Sequence, residues 1–217
     1  MSPAPEKHLA IGLLLTWLLT GCSLLPQPEP VSINQYVLEY TPATVAGQLA
    51  VRDPVNQVPV LIVTTPSAHG GYDNYRIAYM QQAYGLRYYT RSRWADKPAR
   101  MLAPLLADAL QSTGCFQALY TSPGTLAADY RLDTELVRLY QDFTAQPSVV
   151  RLTLRARLIE LQTQRVIATR QFDLTEAAAT DDTYGGVLAV NKAVNRLLNE
   201  LAQFCMATQQ AAGVNPQ

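Results

Sequence analysis

Three alternating runs between Asp129 and Leu174 restrict the fold of this chain more than any other feature. In Asp129 to Tyr140, the residues Tyr130, Leu132, Thr134 and Leu136 share one face. In the next run Val150, Leu152, Leu154, Ala156 and Leu158 do the same, with Arg151, Arg155 and Arg157 opposite. A period of two marks a strand with one buried side. The Gln162-Thr163-Gln164 turn leads into a third run, Val166 to Leu174, and the three predict an antiparallel meander. The arginines on its outer face suit pairing with Asp133 and Glu135 across the ladder, since opposite charges stabilise cross-strand neighbours. Lipid phosphates are the alternative partner for them.

Two helical stripes accompany these strands. Val187, Val190, Val194, Leu197, Leu198, Leu201 and Phe204 fall on one side of a helix, opposite Asn191, Asn195, Arg196, Asn199 and Glu200. Gly185-Gly186 and the Asp181-Asp182-Thr183 run open it. Earlier, Leu102, Leu105, Leu106, Ala109 and Leu110 recur at helical spacing, with Asp96 as a cap, Pro98 in the first turn and Gly114 as the stop. Short strands are expected at Tyr36–Tyr40, at Val58–Val63 (apolar throughout, so buried on both faces) and at Phe116–Tyr120. Tyr75–Tyr79 and Leu86–Thr90 flank Gly85 and read as a hairpin. Strands, helix, strands, helix predict an α+β fold, an antiparallel-rich sheet with two helices packed on one face as a two-layer sandwich.

With 217 residues and 48% hydrophobic content, one globular domain can bury its core without a metal or a set of disulfides. Seventeen basic residues balance seventeen acidic ones, which argues against a nucleic-acid binder. The only histidines are His8 and His69, so multi-histidine zinc motifs are excluded, and no cofactor or metal is expected. His69 lies in Ser67-Ala-His-Gly-Gly71, where no nucleophile elbow presents a serine, so no catalytic set is expected.

The N-terminus sets location. Lys7 and His8 precede the apolar run Leu9 to Leu19, too short to span a bilayer comfortably, which ends in Leu19-Thr20-Gly21-Cys22. That ending resembles a bacterial lipobox, which implies cleavage before Cys22 and acylation of it. Ser23 follows, where an aspartate would resemble an inner-membrane retention signal, so the resemblance implies an outer-membrane anchor on the periplasmic face. Several acyl chains exceed what stable anchoring needs. The expected organisation is a leader over 1–21, the lipidated cysteine and a Pro-rich stalk over 22–31, a domain over 32–206 and a disordered tail over 207–217.

Six tyrosines lie between Tyr72 and Tyr89, interleaved with arginines. Tyr75, Tyr79, Arg87, Tyr88, Tyr89, Arg91, Arg93 and Trp94 therefore suit a partner surface, because Tyr, Trp and Arg are favoured interface anchors. The alternative is a hairpin whose aromatic residues simply fit half-buried strand positions. Cys115 and Cys205 each follow the expected end of a helix. If the helices run side by side in the same direction, the two thiols come within disulfide reach; otherwise they are buried free thiols.

The lipobox, the Pro stalk, Tyr36-Val-Leu, the Val-rich strand, the Tyr-rich hairpin and Tyr88-Tyr-Thr-Arg-Ser-Arg-Trp-Ala-Asp96 occur in an order that resembles the ABC-type transport auxiliary lipoproteins, the paraquat-inducible C-type group. The resemblance covers Ser32 to Cys205; Cys115 and Cys205 are not a hallmark of that family. It implies a non-enzymatic outer-membrane lipoprotein of a phospholipid transport system. Its partners would be a mammalian-cell-entry-domain protein, the membrane through acyl chains, and further copies of itself in a homo-oligomer. The runner-up is a structural lipoprotein that assists envelope assembly or an exporter without touching lipid.

Overall fold

The computed structural model of the chain describes residues 32–42, 58–120 and 127–213. In chain order the strands are β1 (Asn34–Tyr36), β2 (Val60–Val63), β3 (Ser67–Ala68), β4 (Arg76–Met80), β5 (Leu86–Trp94), β6 (Gln117–Tyr120), β7 (Tyr130–Asp142), β8 (Val149–Glu160) and β9 (Arg165–Ala177). Helix α1 (Pro98–Ser112) follows β5, and helix α2 (Thr183–Gly213) follows β9. The fold is α+β, with one open, mostly antiparallel sheet of nine strands among the described residues.

β7 organises that sheet. One edge carries β8 and then β9, the antiparallel meander expected from the alternation. The other edge is taken in succession by β2, β3 and β4, each parallel to β7. These parallel junctions were not legible in the sequence, because β2, β3 and β4 are two to five residues long and a short run does not fix which neighbour it pairs with or in which direction. Leu61, Ile62 and Val63 are buried, as the apolar run predicts, between β6 and β7. Val137 is an extra residue on β7, since Leu136 faces Leu154 but Arg138 faces Thr153. This bulge moves the buried positions from Leu132, Thr134 and Leu136 to Leu139 and Gln141.

Both helices contribute to one core. Leu102, Leu106 and Leu110 of α1, and Val194, Leu197, Leu198 and Leu201 of α2, are fully buried with Leu132, Leu152, Leu154 and Leu158 of the sheet. Pro98 starts α1, but the cap differs from expectation. Lys97 occupies the cap position without a side-chain bond, and the Asp96 carboxylate accepts only the Lys97 N–H, at 2.7 Å. Gly114 ends the turn after α1 with φ 69°, a conformation that favours glycine. Asp182 caps α2 by accepting the Gly185 N–H at 2.7 Å. A Cβ on Gly185 would strike Thr180, and one on Gly186 would strike the Gln141 amide, so the paired glycines let the helix start against the sheet. α2 then runs to Gly213, carrying helix into the segment from 207 that the sequence reads as a tail.

The expected strand at Tyr36–Tyr40 overlaps the observed β1 only at Tyr36. β1 stops at Tyr36, and the chain beyond it is claimed by a helix instead of a strand. Asn191 accepts the Glu39 N–H at 2.8 Å and donates to the Val37 carbonyl at 3.3 Å. One helical turn on, Asn195 accepts the Thr41 N–H at 2.9 Å and donates to the Glu39 carbonyl at 3.0 Å. Asn199 accepts the Tyr40 hydroxyl at 3.1 Å. Asn191 and Asn195, four residues apart, thus imitate a strand edge, with Asn199 holding the Tyr40 side chain one turn further on, and Leu38 is buried beneath the strap.

Candidate docking surface

The antiparallel hairpin β4–β5 carries most of the residues expected to meet a partner. Its turn holds Tyr84 at φ 63°, with the Gly85 N–H donating to the Gln82 carbonyl at 3.1 Å. A bulky residue in the left-handed region is uncommon. Tyr84 is also fully solvent-exposed, at 101%, so neither packing nor hydrogen bonding explains an aromatic there. Sequence reasoning counted this tyrosine but did not select it, because its exposure follows from turn geometry that letters alone do not give.

The other aromatic side chains divide. Trp94 is 2% exposed and belongs to the core; the even positions at the end of β5 face inward, which corrects its assignment to the surface. Tyr79 and Tyr89 pack ring against ring at 4.7 Å, and Phe143 meets Tyr79 edge-on at 6.0 Å. The Tyr89 hydroxyl donates to Gln141 at 2.9 Å, and Gln141 in turn donates to Ser148 at 2.9 Å. Burial pushes the Tyr89 phenol up to about 12. The Tyr88 hydroxyl donates to the Gly71 carbonyl at 3.0 Å, and the Arg76 guanidinium lies 3.8 Å over its ring. Tyr72 stacks with Tyr140 at 6.4 Å, and burial raises it likewise to about 12. Tyr75, Tyr84, Arg87, Arg91 and Arg93 remain as an exposed set.

Ion pairing is dense on β7 and β8 and absent from the hairpin among the described residues. On the outer face of β7 and β8, Arg155 meets Glu135 at 2.7 Å and Arg138 meets Asp173 at 3.3 Å. Asp133 faces Arg157 in register, as expected from the sequence. Arg151 instead reaches Asp142, at 2.7 Å. Burial alone raises Asp142, but hydrogen bonds from Thr144 and Arg151 outweigh it and hold the carboxyl below its usual range. Asp173 is lowered by bonds from Thr153 and Gln171. His69 joins the same network through Glu135, at 3.0 Å. By contrast Arg87 meets only the Gln81 side chain, at 3.3 Å, and no carboxylate pairs with Arg87, Arg91 or Arg93 among the described residues.

The expected disulfide is not formed: Cys115 and Cys205 are free thiols. The Cys115 thiol turns toward the Thr113 carbonyl, 3.8 Å away, while Cys205 is fully enclosed in the core, where burial pushes its thiol to about 12. Cys22 lies outside the described residues. Among the described residues no cluster of His, Cys, Asp and Glu is gathered for a metal, and no helix is long and apolar enough to cross a membrane.

Sheet, helices and an exposed Tyr/Arg hairpin define an α+β scaffold. The chain belongs to the ABC-type transport auxiliary lipoprotein component family, whose model matches residues 36–202. It is therefore a lipoprotein-family accessory of ABC-type transport. Among solved structures it is similar to protein XCC0632 from Xanthomonas campestris, of the family model DUF330, with 22% identity over 85% of this chain and 100% of that one and a TM-score of 0.70. An uncharacterized protein is 12% identical over 80% of this chain and 99% of that one, with a TM-score of 0.63. At these identities the likeness concerns the fold. No curated protein matches the chain.

Proposed function

We propose that this chain is a non-enzymatic outer-membrane lipoprotein, anchored through acylated Cys22, that serves an envelope-spanning phospholipid transport system. In this reading its domain docks a mammalian-cell-entry-domain partner at the periplasmic face and associates with further copies of itself. Family membership supports the transport role. The docking role rests on one observation above all, the fully exposed Tyr84 at the hairpin tip beside the unneutralised Arg87. Aromatic and arginine side chains of this kind are the usual anchors of an interface.

Two measurements test the reading. A photoreactive residue in place of Tyr84 should form adducts with a mammalian-cell-entry-domain protein in intact envelopes; adducts with water alone, or with unrelated envelope proteins, contradict it. Labelled palmitate should enter the wild type and not Cys22→Ser. An uncleaved leader in the membrane-extracted protein contradicts the anchor.

A further inference from the structure

Residues 73–100 carry six basic side chains, Arg76, Arg87, Arg91, Arg93, Lys97 and Arg100, against two acidic ones, Asp73 and Asp96. The chain as a whole is neutral, so the remainder holds eleven basic against fifteen acidic residues. Both carboxylates of the basic stretch are already engaged, Asp73 by Lys97 at 3.1 Å and Asp96 by Arg100 at 4.0 Å. The four arginines of the hairpin are thus left without a carboxylate among the described residues.

Three of the four gather at the base of the hairpin, away from its tip. Arg93 stands in register with Arg76 on one side and Gln35 of β1 on the other, and Arg91 precedes it by two on the same strand face. Like charges directly opposite each other weaken a ladder, so folding gains nothing from Arg93 beside Arg76. Arg76 is nevertheless held in place, stacked 3.8 Å over Tyr88 and bonded to Asn74 at 3.4 Å. A guanidinium matches a phosphate through its fork of N–H donors, and the attraction is long-ranged enough to collect at a charged surface.

The path of the chain points to which phosphates these are. β1 lies in parallel register on β5, with Asn34 against Ser92 and Gln35 against Arg93, and the asparagines of α2 pin the strap that follows. Cys22 is twelve residues before Asn34. Fully extended, that stretch spans at most about 40 Å. A chain anchored at Cys22 therefore enters its domain at the arginine strand.

We propose that Arg76, Arg91 and Arg93 form a binding face for anionic phospholipid headgroups, distinct from the docking tip at Tyr84 and Arg87. The inference rests on the reading of Cys22 as the membrane anchor, but the test is independent of acylation. Among the described residues the buried core lies between Leu38 and Cys205, so the unlipidated chain from residue 22 onward, carrying Cys22→Ser, retains it. Its sedimentation is measured with vesicles of phosphatidylglycerol mixed into phosphatidylcholine and with phosphatidylcholine alone. The wild-type domain should prefer the anionic vesicles. Each arginine near such a surface contributes about a fivefold change in affinity, so Arg91→Gln with Arg93→Gln should weaken binding roughly 25-fold. Arg165→Gln with Arg170→Gln removes the same charge on β9, four strands away from β5 across the sheet, and should stay within about twofold, because the effect is local within a Debye length. Unchanged melting temperatures confirm that both doubles are folded. Equal losses in the two doubles, or no preference of the wild type for anionic vesicles, overturn the proposal. So does a variant that keeps vesicle binding but loses a copurifying protein, which would make the patch a protein contact. A Cys22 without palmitate, alongside an intact vesicle preference, removes the anchor and leaves the lipid face standing.

Discussion

The meander β7–β9 and the hairpin β4–β5 are built from the same materials, strands rich in arginine and apolar residues. Yet β7 and β8 pair four of their five arginines with carboxylates, leaving Arg157 and the β9 residues Arg165 and Arg170 outside the ion pairs, while the hairpin pairs none among the described residues. On the meander, Arg138, Arg151 and Arg155 each meet a carboxylate within 3.3 Å, and hydrogen bonds hold Asp142 and Asp173 in their charged forms. On the hairpin, Arg87, Arg91 and Arg93 meet none, while the tyrosines beneath them are packed and bonded. A charge neutralised inside the fold serves the fold.

Truncation should separate the two regions most widely. Leu152→Ala in the centre of β8 should cost about 2–5 kcal/mol, because it opens a cavity in a fully buried layer. Tyr84→Ala should stay within about 0.5 kcal/mol, as for surface changes generally. Urea unfolding of both variants checks this; a large loss at Tyr84 would make the hairpin tip part of the scaffold.

The strap offers an intermediate case. Replacing Asn191 and Asn195 together by alanine removes four main-chain hydrogen bonds to the Val37–Thr41 segment. About 2 kcal/mol should be lost, since each such bond contributes roughly 0.5–1.5 kcal/mol and the site is partly exposed. Amide exchange at Glu39 and Thr41 should accelerate while exchange in β8 does not. Equal acceleration in both would show that strap and sheet open as one unit.

Acid should act on the meander first. Asp142 and Asp173 have lowered folded-state values, so their contribution is complete above the ordinary carboxylate value of about 4. It is lost as pH falls further through their folded values. Asp142→Asn should therefore flatten the fall in melting temperature below about pH 4 relative to wild type. An unchanged slope would show that the Arg151 pair contributes nothing to stability.

Much of this division was legible in the sequence, and the exceptions have physical causes. Alternation from Tyr130 to Leu158 gave the meander and its buried face, because a long strand with one buried side places most of its apolar residues at every second position. The stripe from Val187 to Phe204 gave α2 in the same way. The Val137 bulge was hidden, since one extra residue leaves local composition unchanged. The role of Asn191, Asn195 and Asn199 was hidden as well. They read as a solvated helix face, although asparagine is a weak helix former and its recurrence at one spacing was the available signal. Trp94 was misread because its neighbours Arg91 and Arg93 are exposed, and only the strand's alternation separates them. Cys115 and Cys205 were placed by helix ends alone, which do not fix the direction of their side chains. The exposed side chains of the hairpin were legible as a region and not residue by residue.

The most direct test of the central contrast is a matched pair of charge reversals. Arg155→Glu puts a second carboxylate against Glu135 and should lower the melting temperature by a few degrees, about 1–2 kcal/mol, while the folded protein still copurifies with its partner. Arg87→Glu should leave the melting temperature unchanged and abolish copurification. If Arg87→Glu copurifies at the wild-type level, or Arg155→Glu loses the partner while still folded, the hairpin is packing like the rest of the sheet and the contrast between the two regions fails.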